Sequence, residues 1–214
     1  FMGLPPALAN GTNRIGILLQ NVFAVSGFKS KGVSVFPYAI YLAITALIGA
    51  IIGAKLAVDI KGELFNRILA VVMVLVLFIT IFNPLKKKEI VQEMMSPKRK
   101  ALSIFLYFFV GLYGGFIQAG IGFIMIAILT IVNGLSMAKT NSIKVFVVLV
   151  YTFFAIIVFV MDDKVDWTLG LTLALGTSVG GWIASRWSAD KDDKLIRGFL
   201  ILAVSAMAIK LWFF

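Results

Sequence analysis

Cysteine and histidine are both absent from the 214-residue chain. Disulfide bonds, thiolate metal sites and histidine proton relays are therefore excluded, because each needs one of these side chains. Charged residues are also scarce, at 14% of the sequence, and no carboxylate lies well inside an apolar segment. We expect no enzyme activity, no metal and no cofactor, since acid–base catalysis by the remaining residue types would need buried carboxylates.

What the chain has in excess is apolar residues, which make up 61% of it, with a mean hydropathy of +1.02. They occur in blocks of about 20 residues between short charged segments, the length of a helix that crosses a bilayer. The segment 68–82 is apolar on every side and does not alternate as an outer-membrane strand does. The sequence therefore predicts an all-α, multi-pass membrane protein whose surroundings are the lipid bilayer.

One predicted span is too long for a single straight helix. The 34 residues of 101–134 would extend about 51 Å, and their middle is rich in glycine. We predict two shorter helices that meet at a glycine break, which is tolerated at membrane depth only where protein or a water-filled cavity covers it. The full set of predicted spans is 14–28, 37–57, 64–83, 101–134, 140–161, 167–187 and 195–214.

Basic residues outnumber acidic ones by 20 to 10, and six of them lie in the segment 84–100. In a soluble protein such a run would suggest a nucleic-acid partner. In a membrane protein the positive-inside rule explains it more simply, and it places this loop in the cytoplasm. We expect a cell (inner) membrane location and no nucleic-acid partner.

The two halves of the chain match at an offset of 131 residues without a gap. Asn10 falls on Asn141 and Gly49 on Gly180, and such polar and glycine matches are harder to obtain by chance than apolar ones. The pattern predicts a duplicated unit. Its predicted parts are a first repeat (1–83), a cytoplasmic basic loop (84–100) and a second repeat (101–214).

In this register the glycine-broken segment 101–131 has no counterpart ahead of Phe1. We therefore expect the first repeat to lack its own broken hairpin here. If the broken segment counts as a hairpin, each unit crosses the membrane an odd number of times and the two units are inverted. If it counts as a single span, each unit makes an even number of crossings and the two units are parallel. Loop charges favour inversion weakly, because inversion places the acidic loop 162–166 outside.

Small and amide residues mark the break, and either of two explanations fits them. Glycines at short spacings allow membrane helices to pack closely. Alternatively, the break exposes backbone N–H groups at a half-helix N-terminus, where they attract an anion. On the second explanation the candidate substrate-binding residues are Gly114, Gly115, Gln118, Gly120 and Gly122.

A polar run follows the break and a similar one opens the chain. Their spacing predicts Asn10, Asn13 and Arg14 on one helical face, and Thr140 and Asn141 with Lys144 on another. Neutral donors beside one cation suit a small oxyanion, whereas the alternative is ordinary helix capping with a snorkelling base. The candidate binding residues here are Asn10, Thr12, Asn13, Thr140, Asn141 and Lys144, with Arg14 on a possible pathway.

Two amides lie deeper in the first predicted span. Gln20 and Asn21 are two turns beyond the polar run, where amides are costly unless they face other helices. Their counterparts at the 131-residue offset, Tyr151 and Thr152, also end in polar groups. We predict either a polar path between the units or hydrogen bonds that join helices.

The broken motif from Gly111 to Gly122 (G-x-x-G-G-x-x-x-x-G-x-G), the run from Gly3 to Arg14 (GLPPALANGTNR) and the duplication together resemble the sulfite exporter TauE/SafE family of anion permeases. The resemblance covers essentially the whole chain. Two departures are Phe123, where the family has a further glycine, and the absent first glycine motif. The resemblance implies that the glycines and Gln118 form the second central break and that the two polar runs follow the two breaks.

The resemblance also implies a secondary transporter that exports a small anion, such as sulfite or an organosulfonate, and our hypothesis for the mechanism is alternating access. Another small anion, a carboxylate or an inorganic one, is an alternative cargo, because fold does not fix function. A membrane structural or assembly subunit without transport activity is a second alternative. The expected partners are a small anionic substrate and the bilayer, and a homodimer is left open.

Overall fold

A computed structural model describes residues 4–187 except 31, 34 and 83–92. Within these residues every regular element is an α-helix, which confirms the predicted all-α class there. The helices are α1 (Pro6–Ser30), α2 (Tyr38–Asp59), α3 (Gly62–Phe82), α4 (Pro97–Phe116), α5 (Ile121–Ile131), α6 (Met137–Met161) and α7 (Trp167–Trp187).

The helices follow the predicted spans with shifts at their ends. α1 begins eight residues before the predicted start at residue 14. α4 begins at Pro97, so the last four residues of the predicted 84–100 loop are helical. The reason is local, because proline fits the first turn of a helix, where its missing N–H has no acceptor to lose. The predicted span 195–214 lies outside the described residues.

Two of the described helices, α2 and α6, are long and apolar enough to cross a membrane, with mean hydropathies of 2.0 and 2.8. Large apolar side chains also cover the outward surfaces. On α2, Ile44, Ile48, Ile52 and Leu56 are about half exposed and form one stripe at four-residue spacing. Such a contiguous apolar stripe is unfavourable in water and suits lipid.

The predicted glycine break in segment 101–134 is confirmed. α4 ends at Phe116, α5 begins at Ile121, and the chain between them reverses direction. The returning α5 brings Asn133 back beside the first turns of α4, where the Ser103 hydroxyl donates to its Oδ1 at 2.7 Å. α4 and α5 therefore form a helical hairpin with both outer ends on one side of the molecule.

α2 and α4 pack in parallel at very short range. A Cβ atom placed on Gly111 would overlap the carbonyl of Ala46, and one placed on Gly115 would overlap that of Ala50. Only glycine allows the two backbones to approach this closely. At Gly111 and Gly115 the close-packing explanation of the glycine-rich segment is therefore correct.

α1 and α6 lie side by side and run antiparallel. Gly11, near the start of α1, contacts Phe159 and Lys164 at the end of α6. Thr12 accepts a hydrogen bond from the backbone N–H of Asp166 at 2.9 Å, also at that end. The start of α1 and the end of α6 are therefore on the same side, opposite to the start of α4.

α1 and α6 each also pack along a helix from the other half of the chain. α1 lies along α7 in parallel, with Gly16 against Leu173 and Gln20 against Gly181. α6 lies along α2 in the same sense, while α2 also holds α4. α1 and α6 thus form the centre of the described bundle, and the break between α4 and α5 faces them.

Candidate functional site

The α4–α5 break has an unusual backbone. Gln118 and Gly120 both have left-handed φ values, of 69° and 70°. Glycine adopts this conformation freely, but for glutamine it costs on the order of 1–3 kcal/mol. The Tyr113 hydroxyl donates to the carbonyl of Ala119 and so fixes the turn from within. The strained backbone at Gln118 directs its side chain toward α6.

The Gln118 side chain is buried against the middle of α6. Its Nε2 donates to the Tyr151 hydroxyl at 3.3 Å and to the Thr152 hydroxyl at 3.2 Å. Its Oε1 is buried and has no hydrogen-bond partner among the described residues. The reversed amide would instead accept from the two hydroxyls and leave Nε2 free as a donor, since both ends of an amide occupy nearly the same space. Gln118 can therefore offer either kind of group to a ligand.

Arg14 is the largest fully buried side chain in the described part of the chain, at 0% exposure. Its Nη2 donates to the carbonyls of Gly114 and Gly115, at 3.1 and 2.5 Å. Its guanidinium carbon lies 4.8 Å from the centre of the Phe159 ring. The Nε and Nη1 groups are buried and have no partner among the described residues.

The charge on Arg14 is not compensated by a carboxylate within the described ranges, where both recorded ion pairs lie elsewhere. Burying one unpaired ion costs several kcal/mol even after the surroundings relax. Two carbonyl oxygens and an aromatic ring offset part of that cost, because both attract cations. The two remaining nitrogen groups of Arg14 are buried donors of the kind that bind an anion.

Lys144 is a second cation beside the break. Its Nζ donates to Asn141 Oδ1 at 2.9 Å, which confirms that these two side chains share a helical face. A Cβ atom on Gly122 would lie 3.6 Å from the Lys144 side chain, so Lys144 lies against the first turn of α5. That turn carries the positive end of the helix dipole. Lys144 therefore adds to a positive potential at the break.

The first polar run is only partly brought together. Asn10 Nδ2 donates to the carbonyl of Phe116 at 2.8 Å and so ties α1 to the end of α4. Arg14 points inward one turn later, whereas Asn13 is exposed. The prediction that Asn13 shares a face with Asn10 and Arg14 is wrong. Asn10 and Arg14 are four positions apart and both face α4, whereas Asn13 lies on another side of α1. Thr12 instead joins the loop after α6.

The capping alternative does not explain the second polar run. α6 begins at Met137, and its capping residue is Ser136, whose hydroxyl accepts from the Lys139 N–H at 3.4 Å. Thr140 is buried inside the first turn and donates to the carbonyl of Leu135 at 3.5 Å. Asn141 lies deeper still and contacts Lys144, so it takes no part in the cap.

The two deeper amides of α1 contact their own helix and α7. Asn21 Nδ2 donates to the carbonyl of Ile17 at 2.7 Å, within its own helix. Gln20 packs against Gly181 of α7. No hydrogen bond joins either of them to Arg14 in the described structure. Their counterparts at the 131-residue offset, Tyr151 and Thr152, do reach the break through Gln118.

Tyr151 and Thr152 are the site residues that the sequence alone did not single out as ligands. Both are fully buried, and the Tyr151 hydroxyl lies beside Gly114, whose carbonyl accepts from Arg14. The sequence feature that could have identified them is their position, two turns after Lys144 on the same face of α6. Arg14, assigned only to a possible pathway, turns out to be the central charged residue.

Comparison with known proteins identifies the family of the chain. The family described as sulfite exporter TauE/SafE matches residues 1–211. A probable membrane transporter protein, ORF9 from Sinorhizobium sp., is 25% identical over 215 residues, which cover 98% of this chain and 79% of that protein. No solved structure matches the chain. The chain therefore belongs to the sulfite exporter TauE/SafE family and is a membrane transporter.

Proposed function

We propose that this transporter exports a small oxyanion, sulfite or an organosulfonate, and binds it between Arg14 and the α4–α5 break. The observation that carries the proposal is the fully buried Arg14 guanidinium, which among the described residues has no carboxylate partner and two unused nitrogen groups. Charge-assisted hydrogen bonds to an oxyanion would satisfy those groups. Sulfite and sulfonates each carry three oxygens on one sulfur, so they can accept from several directions at once.

Neutral groups complete the proposed site. Gln118 supplies an amide, and Tyr151 and Thr152 supply hydroxyls next to it. Lys144 attracts the anion from the other side of the break and is held by Asn141. Five further predicted residues act by position. The carbonyls of Gly114 and Gly115 hold Arg14, Gly120 shapes the turn, Gly122 lies against Lys144, and Asn10 ties α1 to the end of α4.

Inverted repeats and alternating access are part of the proposal. In the sequence alignment at an offset of 131 residues, the first residue of α1 matches the first residue of α6 and the last matches the last. α1 and α6 run antiparallel. α1 packs along α7, a helix of the second repeat, and α6 packs along α2, a helix of the first repeat. A two-fold axis perpendicular to the helices would relate such units, as in inverted-repeat transporters. In alternating access, the first repeat (1–83) and the second repeat (101–214) would tilt relative to each other around the α4–α5 break.

We propose a cell-membrane location with the basic loop 84–100 in the cytoplasm, and export driven by the membrane potential. Moving one negative charge outward across an inside-negative membrane gains about 2.3 kcal/mol per 100 mV. In vesicles that contain the purified chain, loaded with sulfite and held at an inside-negative potential of about 100 mV, efflux is expected to be several-fold faster than at zero potential.

Two controls decide the cargo and the coupling. Vesicles loaded with acetate test the carboxylate alternative, and vesicles held inside-positive test whether the moving charge is negative. Efflux of acetate in preference to sulfite would contradict the proposed cargo. Sulfite efflux that does not respond to potential would contradict electrogenic export, and no flux of any anion would contradict transport through this site.

Gly114 gives a test of the site's geometry. A Cβ atom there would lie 2.9 Å from the Tyr151 hydroxyl, closer than ordinary contact, so Gly114→Ala should displace that hydroxyl from Gln118. Loss of one neutral hydrogen bond predicts sulfite transport lower by roughly three- to tenfold. Gly176→Ala is the matched control, because a Cβ on Gly176 meets no described residue within 4 Å. Equal transport rates for the two variants would remove Tyr151 from the site.

A further inference from the structure

A second group of buried polar side chains lies near the start of α4, away from Arg14. Asn133 is fully buried, and its Oδ1 accepts hydrogen bonds from the hydroxyls of Tyr38, at 3.2 Å, and Ser103, at 2.7 Å. Tyr107, one turn after Ser103, is fully buried as well. These four residues, Tyr38, Ser103, Tyr107 and Asn133, are called the Asn133 cluster below.

Two polar groups of the cluster have no partner among the described residues, namely Asn133 Nδ2 and the Tyr107 hydroxyl. Each buried polar group without a hydrogen bond costs about 1–3 kcal/mol. Phenylalanine at position 107 or an aliphatic residue at position 133 would avoid that cost. Both groups can donate a hydrogen bond, so the cluster offers at least three N–H or O–H bonds to an acceptor.

We propose that the Asn133 cluster is a second anion-binding site, through which the transported oxyanion passes between the α4 start and Arg14. This inference rests on the proposed function, because it takes the anion as the cargo. The cluster contains no charged side chain, so it binds an anion by neutral donors alone. Neutral hydrogen bonds are about half as strong as charge-assisted ones, which suits a site that an anion must leave quickly.

The buried face of α4 connects the cluster to the Arg14 site. Ser103, Tyr107 and Gly114 all lie on that face, and the rise from the first to the last is roughly 16 Å. Between them, Tyr107 belongs to the same buried cluster of side chains as Tyr38 and Tyr151. Buried hydroxyl groups therefore extend from Asn133 to the residue that contacts Gln118.

The basic side chain of Arg99 lies at the outer end of this route. The Met94 N–H donates to the carbonyl of Asn133 at 2.7 Å, and Arg99 Nη1 donates to that of Val132 at 2.8 Å. Arg99 and the neighbouring Lys100 are exposed. Positive charge at the mouth of a path raises the local concentration of anions. The mouth, the Asn133 cluster and Arg14 thus form a sequence of anion-attracting positions.

Tyr107→Phe tests the proposal with the smallest possible change, since it removes an oxygen that has no hydrogen-bond partner among the described residues. The purified full-length variant is expected to transport sulfite about fivefold more slowly than wild type at concentrations below half-saturation, the effect of one lost neutral hydrogen bond. Its equilibrium affinity for sulfite, set at Arg14, should stay within about twofold of wild type, because the Tyr107 hydroxyl makes no hydrogen bond to a described residue of that site. Tyr41→Phe is the control, as Tyr41 is exposed on the outer face of α2.

A second variant, Asn133→Leu, removes the amide donors and is expected to slow transport by about tenfold. If wild type transports sulfite and Tyr107→Phe matches it in rate, the second site is overturned while the proposed function stands. If Tyr107→Phe loses rate and affinity in equal proportion, Tyr107 belongs to the Arg14 site and the separate site is again overturned. No anion flux in wild type would overturn the proposed function and this inference together.

Discussion

Arg14→Gln is expected to reduce sulfite transport by at least about 100-fold, because it removes charge-assisted hydrogen bonds worth roughly 1.5–3 kcal/mol each from the anion. The variant should remain folded. Glutamine keeps an amide that can donate to the carbonyl of Gly114 or Gly115, and it no longer buries an uncompensated charge. The measurement is the initial rate of sulfite efflux from vesicles, with melting temperature in detergent recorded for the same preparations.

Arg67→Gln is the matched control for the loss of an arginine. Arg67 is exposed and pairs with Glu63 one turn earlier on α3, at 2.6 Å. Exposed pairs of this kind contribute little, so we expect transport within twofold of wild type. Arg14→Lys should fall between the two, because lysine keeps the charge and loses the planar set of donors. A rate for Arg14→Gln within threefold of wild type would remove Arg14 from the binding site.

Gly111→Ala is expected to disrupt the contact between α2 and α4 and to lower the melting temperature in detergent by roughly 5–10 °C, the effect of overpacking a tight interface. The added Cβ would overlap the backbone of Ala46, and a backbone cannot move aside as a flexible side chain can. Because α4 carries the carbonyls that hold Arg14, transport should fall as well.

Gly180→Ala controls for the change of glycine to alanine in a helix. A Cβ on Gly180 meets nothing within 4 Å in the described structure, so the substitution should leave the melting temperature unchanged or slightly higher. If Gly111→Ala melts within about 2 °C of wild type, the backbones of α2 and α4 are not as close as described.

The helices and the break followed from the sequence because their signals are local. Blocks of apolar residues predicted the positions of the spans, and the glycines around Gln118 predicted the position of the break. The direction in which each side chain points was much harder to predict. Helices in a membrane are apolar on all sides, so no polar face shows which side is buried. Asn13 and Arg14 are neighbours in sequence, yet only packing against α4 decides that Arg14 is buried and Asn13 exposed.

Tyrosines were missed for a related reason. In sequence, Tyr107 and Tyr151 look like ordinary aromatic residues of an apolar helix, and only the packed structure shows that their hydroxyl groups are buried. Asn133 follows α5 at its end, where a turn residue is expected, and its role depends on contacts with Tyr38 and Ser103 from two other helices. Long-range contacts of this kind leave no trace in local patterns.

The most direct test of the central claim is equilibrium binding of sulfite to purified protein, compared between wild type and Arg14→Gln by titration calorimetry. We predict saturable binding to wild type and an affinity reduced by about 100-fold or more in the variant, since the variant lacks the charged donors. Binding of equal affinity to both proteins, or no saturable binding of sulfite or a sulfonate to wild type, would contradict the claim that Arg14 is the centre of an anion site.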